Sequence, residues 1–314
     1  NLGLDWFFTN AEETYTHNDF IAGNRDDGTD SLVTVPAMGW VSKNAEASCS
    51  FPTTDSLGAG TGLGPQDAEV QHWLDPAVTC GSGFVDGQFM RGAVDPTLTS
   101  VATDEVWAAE WIQELVDTYG TAADGGVQIY AVGNEPGLWE GSHGDVHPEP
   151  TTRQEIINTN ITYAQAIKNV DPSAEVIGPV LFGGYSFYVS TEELLQGDRP
   201  GDVPNFTTEY LQAMADAEAA TGQRLIDRFA VHFYDDRVYQ DGTDEMRLQS
   251  TRSLWDPTFA PQEWWAVRDF NLGEGFAIIP RLQGQIDRNY PGTKLAITEY
   301  NFGGDQTLAG GIAQ

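Results

Sequence analysis

Lysine is nearly absent from this chain. Its 314 residues hold three (Lys43, Lys168 and Lys294) within only 15 basic residues, against 47 Asp and Glu, for a formal charge of −32. Docking on phosphate backbones or anionic membranes needs clustered Lys and Arg, so neither nucleic acid nor a membrane surface is an expected partner. Long apolar runs are missing too: none approaches the ~18 residues that a membrane-spanning helix requires. Cysteine occurs twice, at Cys49 and Cys80, too sparsely for a thiolate metal site. Two readings remain for the pair: a disulfide across a long loop, formed in an oxidising compartment, or two buried thiols. The chain opens on Asn1 with no basic-then-apolar leader, the expectation being a removed signal peptide or a fragment. No internal repeat or low-complexity tract is visible.

What is present suits a sizeable α/β domain. Hydrophobic residues make up 40% of the chain, with 9 Trp, 11 Tyr and 15 Phe, and an α/β barrel uses roughly 250 residues as one domain. Short apolar runs alternate with helix-like periods. Strands are expected over 31–38, 126–133, 175–181, 228–234 and 294–300. Helices are expected behind an Asp104 N-cap as far as Gly120, and over 152–170, 206–221 and 276–290. On helical spacing, Trp107 and Trp111 share one face and belong to the core, while Trp264-Trp265 stay unassigned. The stretch from Gly39 to Asp104 is rich in Gly, Pro, Ser and Thr and reads as a long loop. Alternating strands and helices imply β/α units and a parallel sheet. Five strands fall short of the eight of a closed (β/α)8 barrel. The expectation is therefore a TIM-type barrel that is incomplete in this chain, with residues 1–314 forming one partial catalytic domain.

Polar groups gather where these apolar runs end. One run closes on Asn134-Glu135, another on His232-Phe233-Tyr234-Asp235-Asp236, and the last on Thr298-Glu299-Tyr300-Asn301. In parallel barrels that rim carries the active site. A carboxylate there sits half out of water, with its proton affinity set by its neighbours. Two such carboxylates suit glycoside hydrolysis, which needs an acid on the leaving oxygen and a carboxylate at the anomeric carbon. An Arg-paired strand end or a calcium ligand is the structural alternative for either. His232 and Tyr234, two residues apart, point to the same strand face, where His232 would position a carboxylate and Tyr234 would donate to the nucleophile. A lone His in such a run also fits the core. His143 and His147 follow Glu135 at a spacing that does not match a helical zinc motif. Asp26, Asp27 and Asp30 form either a solvated acidic turn or a weak calcium site of structural type. Asn160 and Asn205 open Asn-x-Thr triplets, a weak signal for glycosylation.

These segments resemble glycoside hydrolase family 44. The resemblance rests on Val132-Gly-Asn-Glu-Pro-Gly-Leu-Trp139, Ser142-His-Gly-Asp-Val-His-Pro148 and Leu295-Ala-Ile-Thr-Glu-Tyr-Asn-Phe-Gly-Gly304. Further matches are Asn1-Leu-Gly-Leu-Asp-Trp6, Met38-Gly-Trp-Val41, Asp227–Tyr234 and Arg252-Ser-Leu-Trp-Asp-Pro-Thr258. It implies a retaining (β/α)8 endo-β-1,4-glucanase, with xyloglucan, xylan or lichenan as further substrates. Glu135 would be the acid/base, Glu299 the nucleophile, and Asn134 the ligand of the sugar 2-hydroxyl. It also implies that the first strands, the last strand and an accessory β-sandwich lie outside this chain, and that no cofactor is required. Leu181-Phe182 stand where the family often carries Trp, a departure that bears on one stacking subsite. Pyranose faces stack on aromatic rings, which makes Trp40, Trp139, Trp255 and Tyr300 the candidate substrate contacts, with His143 and His147 beside them. Xylanase, mannanase and a non-catalytic glycan-binding remnant are the rival readings. The charge balance adds a secreted enzyme that works in concentrated salt, where repulsion is screened.

Overall fold

The computed structural model describes residues 16–44, 48–53, 62–71, 79–235, 238, 242–259, 276–304 and 306–313. Asn1–Trp6 and Trp264-Trp265 lie outside these residues. Two compact units are present: residues 1–151 with 166–174, and residues 152–165 with 175–314.

The first unit begins with α1 (His17–Asp27), opened by a capping box between Thr16 and Asp19 and closed by Gly28 in the left-handed region. β1 (Leu32–Val35) follows. The Gly39–Asp104 stretch is not structureless. Its described residues form three small antiparallel pairs: β2 (Trp40–Ser42) with β7 (Ser100–Ala102), β3 (Glu69–Gln71) with β4 (Thr79–Gly81), and β5 (Phe84–Val85) with β6 (Gln88–Phe89). Strands of two or three residues are too short to display a period of two, which is why the sequence reads as loop. Cys49 and Cys80, both buried, are joined in a disulfide that closes a 31-residue separation beside this hairpin region. In the chain-entropy picture a loop of that size contributes about 3–4 kcal/mol.

Helix α2 (Glu105–Tyr119) starts where Asp104 accepts from the N–H groups of Val106 and Trp107, and stops at Gly120. Its buried face is Ala108, Ile112 and Leu115. Trp107 and Trp111, expected in the core, lie half-exposed with their rings stacked at 6.1 Å. The inward face runs through the small Ala108 instead, because direction around the helix, not side-chain bulk, decides burial. β8 (Ile129–Val132) pairs with β1 in parallel, Val35 opposite Val132. Short helix α3 (Trp139–Ser142) comes next.

Helix α4 (Arg153–Val170) leads into the second unit. There β9 (Glu175–Leu181), β10 (Arg228–Tyr234) and β11 (Lys294–Asn301) form a parallel sheet with β10 central. Short helix α5 (Thr191–Gln196) carries a second capping box, Ser190 with Glu193. Helix α6 (Phe206–Thr221) packs Phe206, Tyr210, Leu211 and Met214 inward, and the helix Ile278–Asn289 buries Ile278, Leu282 and Ile286 at a four-residue spacing. Each such fully buried side chain contributes roughly 1.5–3 kcal/mol. Of the two Asn-x-Thr triplets, the first is closed to glycosylation in this fold and the second begins at a helix cap. Asn160 is 2% exposed and bonded to Tyr210 and Ile156, and Asn205 caps α6 through Thr208.

Candidate active site

In the second unit the three strands run in regular register from their N-terminal ends and then slip together. Ala230 pairs with Pro179 but Val231 with Leu181, leaving Val180 as the extra residue, at φ +56°. Val231 pairs with Ile297 but His232 with Glu299, leaving Thr298 as the extra residue. Such bulges re-aim side chains near strand ends. Here the slip brings His232, Tyr234 and Glu299 together. The Tyr234 hydroxyl donates to Glu299 Oε2 at 2.8 Å, and His232 Nε2 lies 3.5 Å from Glu299 Oε1. The His232 side chain is 1% exposed and that of Glu299 43%, so a fixed, buried imidazole supports a carboxylate that still reaches solvent. Gly183, at φ +99°, makes room for this arrangement: a Cβ there would stand 2.9 Å from the His232 carbonyl oxygen. Tyr300, next to Glu299, is 48% exposed. Beyond Tyr234 lies a cavity of about 300 Å³ lined by Asp235, Val238, Met246, Gln249 and Phe259. Of these wall residues the sequence marks only Asp235, in the polar cluster that closes β10.

The Arg252–Thr258 segment is locked on Asp256. Arg252 donates to Asp256 Oδ2 through Nε and Nη2, at 2.9 and 2.7 Å. The hydroxyl and N–H of Thr258 donate to Oδ1, at 2.7 and 2.8 Å. The Thr258 bonds first, and then Arg252, hold this carboxyl down at about 2. Trp255 projects from this segment 59% exposed, as a stacking ring requires.

In the first unit, β8 ends at Val132 and the chain turns through Gly133, Asn134 and Glu135. Asn134 is exposed and Glu135 half-buried. Glu135 sits in the left-handed region at φ 44°, ψ 56°, which for a side chain with a Cβ costs of order 1–3 kcal/mol and persists only where neighbours enforce it. The enforcing contacts are specific. Leu138 N–H donates to the Glu135 carbonyl at 2.9 Å, Thr151 Oγ1 to the Pro136 carbonyl at 2.6 Å, and the Trp139 indole N–H to the Asn134 carbonyl at 2.9 Å. Trp139, expected as a sugar-stacking ring, is 5% exposed and therefore cannot present its face to a ligand. Its neighbours are the His147 ring, 5.4 Å away and tilted 63°, and Gly133. His143 shares a 2.8 Å hydrogen bond with Ser142. Burial, and then the charge of His147, push its pKa down to about 4, so it is neutral at pH 7. Trp40 is half-buried on β2. Asp26 and Asp27 end α1 and Asp30 follows, all exposed. Among the described residues these three do not converge as a ligand set.

Residues 1–237 match the family model for glycoside hydrolase family 44. Endoglucanase A of Paenibacillus lautus is 37% identical over 230 residues, covering 67% of this chain and 31% of that protein. Beta-mannanase/endoglucanase A of Caldicellulosiruptor saccharolyticus is 34% identical over 231 residues, covering 66% and 17%. Among solved structures, CelM2, a bifunctional glucanase-xylanase from a metagenome library, matches with a TM-score of 0.82 and 30% identity, over 94% of this chain and 57% of that one. A xyloglucanase of Paenibacillus polymyxa, solved with xyloglucan, matches with a TM-score of 0.68 and 30% identity over 94% and 55%. The chain thus spans about half the length of these structures and a third or less of the two curated relatives.

Proposed function

Because the chain belongs to glycoside hydrolase family 44, we propose that it is the catalytic portion of a retaining endo-β-1,4-glucanase, with residues 1–314 serving one catalytic domain. The observation that carries this reading is the strand-end constellation in which Tyr234 and His232 both address Glu299. The hydroxyl donor fixes one carboxylate oxygen and so the direction in which the other is presented, which is what an attacking nucleophile needs. Glu299 attacks the anomeric carbon, and the bond from that carbon to the leaving oxygen breaks as Glu135 passes its proton to that oxygen. Water then attacks the same carbon while Glu135 takes a proton from it, and the bond to Glu299 breaks to restore the carboxylate. Asn134 holds the sugar 2-hydroxyl, and Trp40, Trp255 and Tyr300 are the stacking contacts. No cofactor takes part.

Substrate breadth is the second reading. Relatives named as a xyloglucanase, a glucanase-xylanase and a mannanase/endoglucanase favour a cleft that accepts decorated or related backbones. A neutral glucan suits a chain of charge −32 better than a polyuronate. The disulfide supports secretion. The test is a 2-deoxy-2-fluoro-cellobioside with a good leaving group, incubated with the full-length protein. Mass spectrometry should find the sugar on the peptide containing Glu299, and nuclear magnetic resonance should show first products of retained configuration. Inverted products, or label on another residue, would overturn the mechanism.

A further inference from the structure

We infer that Trp139 is a positioning residue for Glu135, holding the acid/base segment in its left-handed turn through one indole hydrogen bond. The inference rests on Glu135 being the acid/base. Three observations converge on it. First, the indole N–H donates to the Asn134 carbonyl, the peptide group that directly precedes Glu135. That bond fixes the plane from which the Glu135 side chain departs. Second, the ring is clamped: Trp139 Cζ2 would stand 3.4 Å from a Cβ at Gly133, and the His147 ring meets the indole edge to face. Gly133, at φ +68°, is thus the residue against which the indole seats. Third, Glu135 occupies a backbone region that its own Cβ disfavours, so the turn depends on outside contacts. The buried ring offers no face to a sugar, which leaves Trp139 no direct role on substrate and gives it, with His147 against it, an indirect one.

General acid assistance matters in proportion to how poor the leaving group is. An unactivated glucan needs the proton from Glu135, whereas a dinitrophenolate departs without it. A misplaced acid therefore lowers kcat/KM, which reports the glycosylation step, on the first substrate far more than on the second. A general loss of folded protein lowers both equally. Trp139→Phe keeps most of the ring and removes the N–H. The expected result is a loss of roughly tenfold on cello-oligosaccharides, against under about twofold on dinitrophenyl β-cellobioside. Taking the ratio of the two rates on one preparation removes the folded fraction from the comparison. Site-specific replacement of Trp139 by benzothienylalanine, which has the same shape without the N–H, should give the same ratio and guards against a packing defect in the Phe variant. Equal losses on both substrates, or no loss on either, would overturn the role of Trp139. Glu135→Ala is the control. It should show a still larger dependence on leaving group, and if it shows none, the acid/base reading of Glu135 fails and the positioning role with it.

Discussion

At the N-terminal ends of β9, β10 and β11, Glu175 accepts hydrogen bonds from Arg228 and Lys294. At the C-terminal ends of β10 and β11, Glu299 meets Tyr234 and His232 instead. The two carboxylates are similarly accessible, with side chains 32% and 43% exposed. They differ in what faces them. For Glu175, burial works against the charge, but the hydrogen bonds from Arg228 and then Lys294 outweigh it, and the carboxyl titrates below its usual range. That end is neutralised and tied down. At the other end the partners are a phenol and an imidazole, which orient the carboxylate without cancelling it with a fixed cation. In parallel α/β barrels the first end serves stability and the second chemistry. On the proposed reading, partner chemistry, more than exposure, divides the structural Glu175 from the nucleophile Glu299.

Three experiments would sharpen or break this contrast. The largest effect is expected at the reactive end. Tyr234→Phe removes a hydrogen bond to a charged group, of about 1.5–3 kcal/mol, and should lower kcat by roughly 10- to 100-fold with an unchanged circular dichroism spectrum. Unaltered turnover would mean that Tyr234 does not serve the nucleophile. At the tied-down end the effect should be thermal and modest. Glu175→Gln should cost about 1 kcal/mol or less, lowering Tm by about 2 °C, and should leave kcat unchanged. Because the folded-state pKa of Glu175 lies below its ordinary value, the stabilisation is complete above about pH 4.5 and is lost as pH falls through the folded value. The Tm gap between wild type and variant should therefore close in acid, and a gap that widens there would contradict the pairing. The smallest change is expected from salt. At about 1 M the screening length is near 3 Å, so repulsion among the exposed carboxylates is relieved while the short contacts at both strand ends persist. Activity on a neutral glucan should stay within about twofold of its value in dilute buffer, and a collapse would contradict a salt-adapted surface.

Much of this frame was legible in the sequence. β9, β10 and α6 fall where the apolar runs and the flanking Asn, Gly and Pro residues place them, because a strand buried on both faces shows itself as an uninterrupted run. Asp104 capped α2 as read. Glu299, Tyr234 and His232 were recognisable from their strand-end positions, although an even spacing alone put only the latter two on one face. Three things were hidden. The hairpins of the Gly39–Asp104 stretch are too short to carry a period. The role of Trp139 depends on which way an indole turns, and residue type is silent on that. The slip at Thr298 has no composition signal, since threonine is an ordinary strand former, whereas the slip at Val180 follows Gly178-Pro179, residues that mark irregularity inside a strand.

Those slips carry a consequence of their own. Side chains alternate strictly along a strand, so in an unbroken ladder every residue of the site would inherit its facing from the packing below it. With one extra residue in β9 and, one step further along β10, another in β11, the alternation of these two outer strands restarts while that of β10 runs through. Above the slip, β9 and β11 can present side chains on a parity that the packing below does not set. β10 has no such freedom: His232 and Tyr234 stay in phase with the buried residues beneath them, so a change in the core below reaches the site through that strand alone.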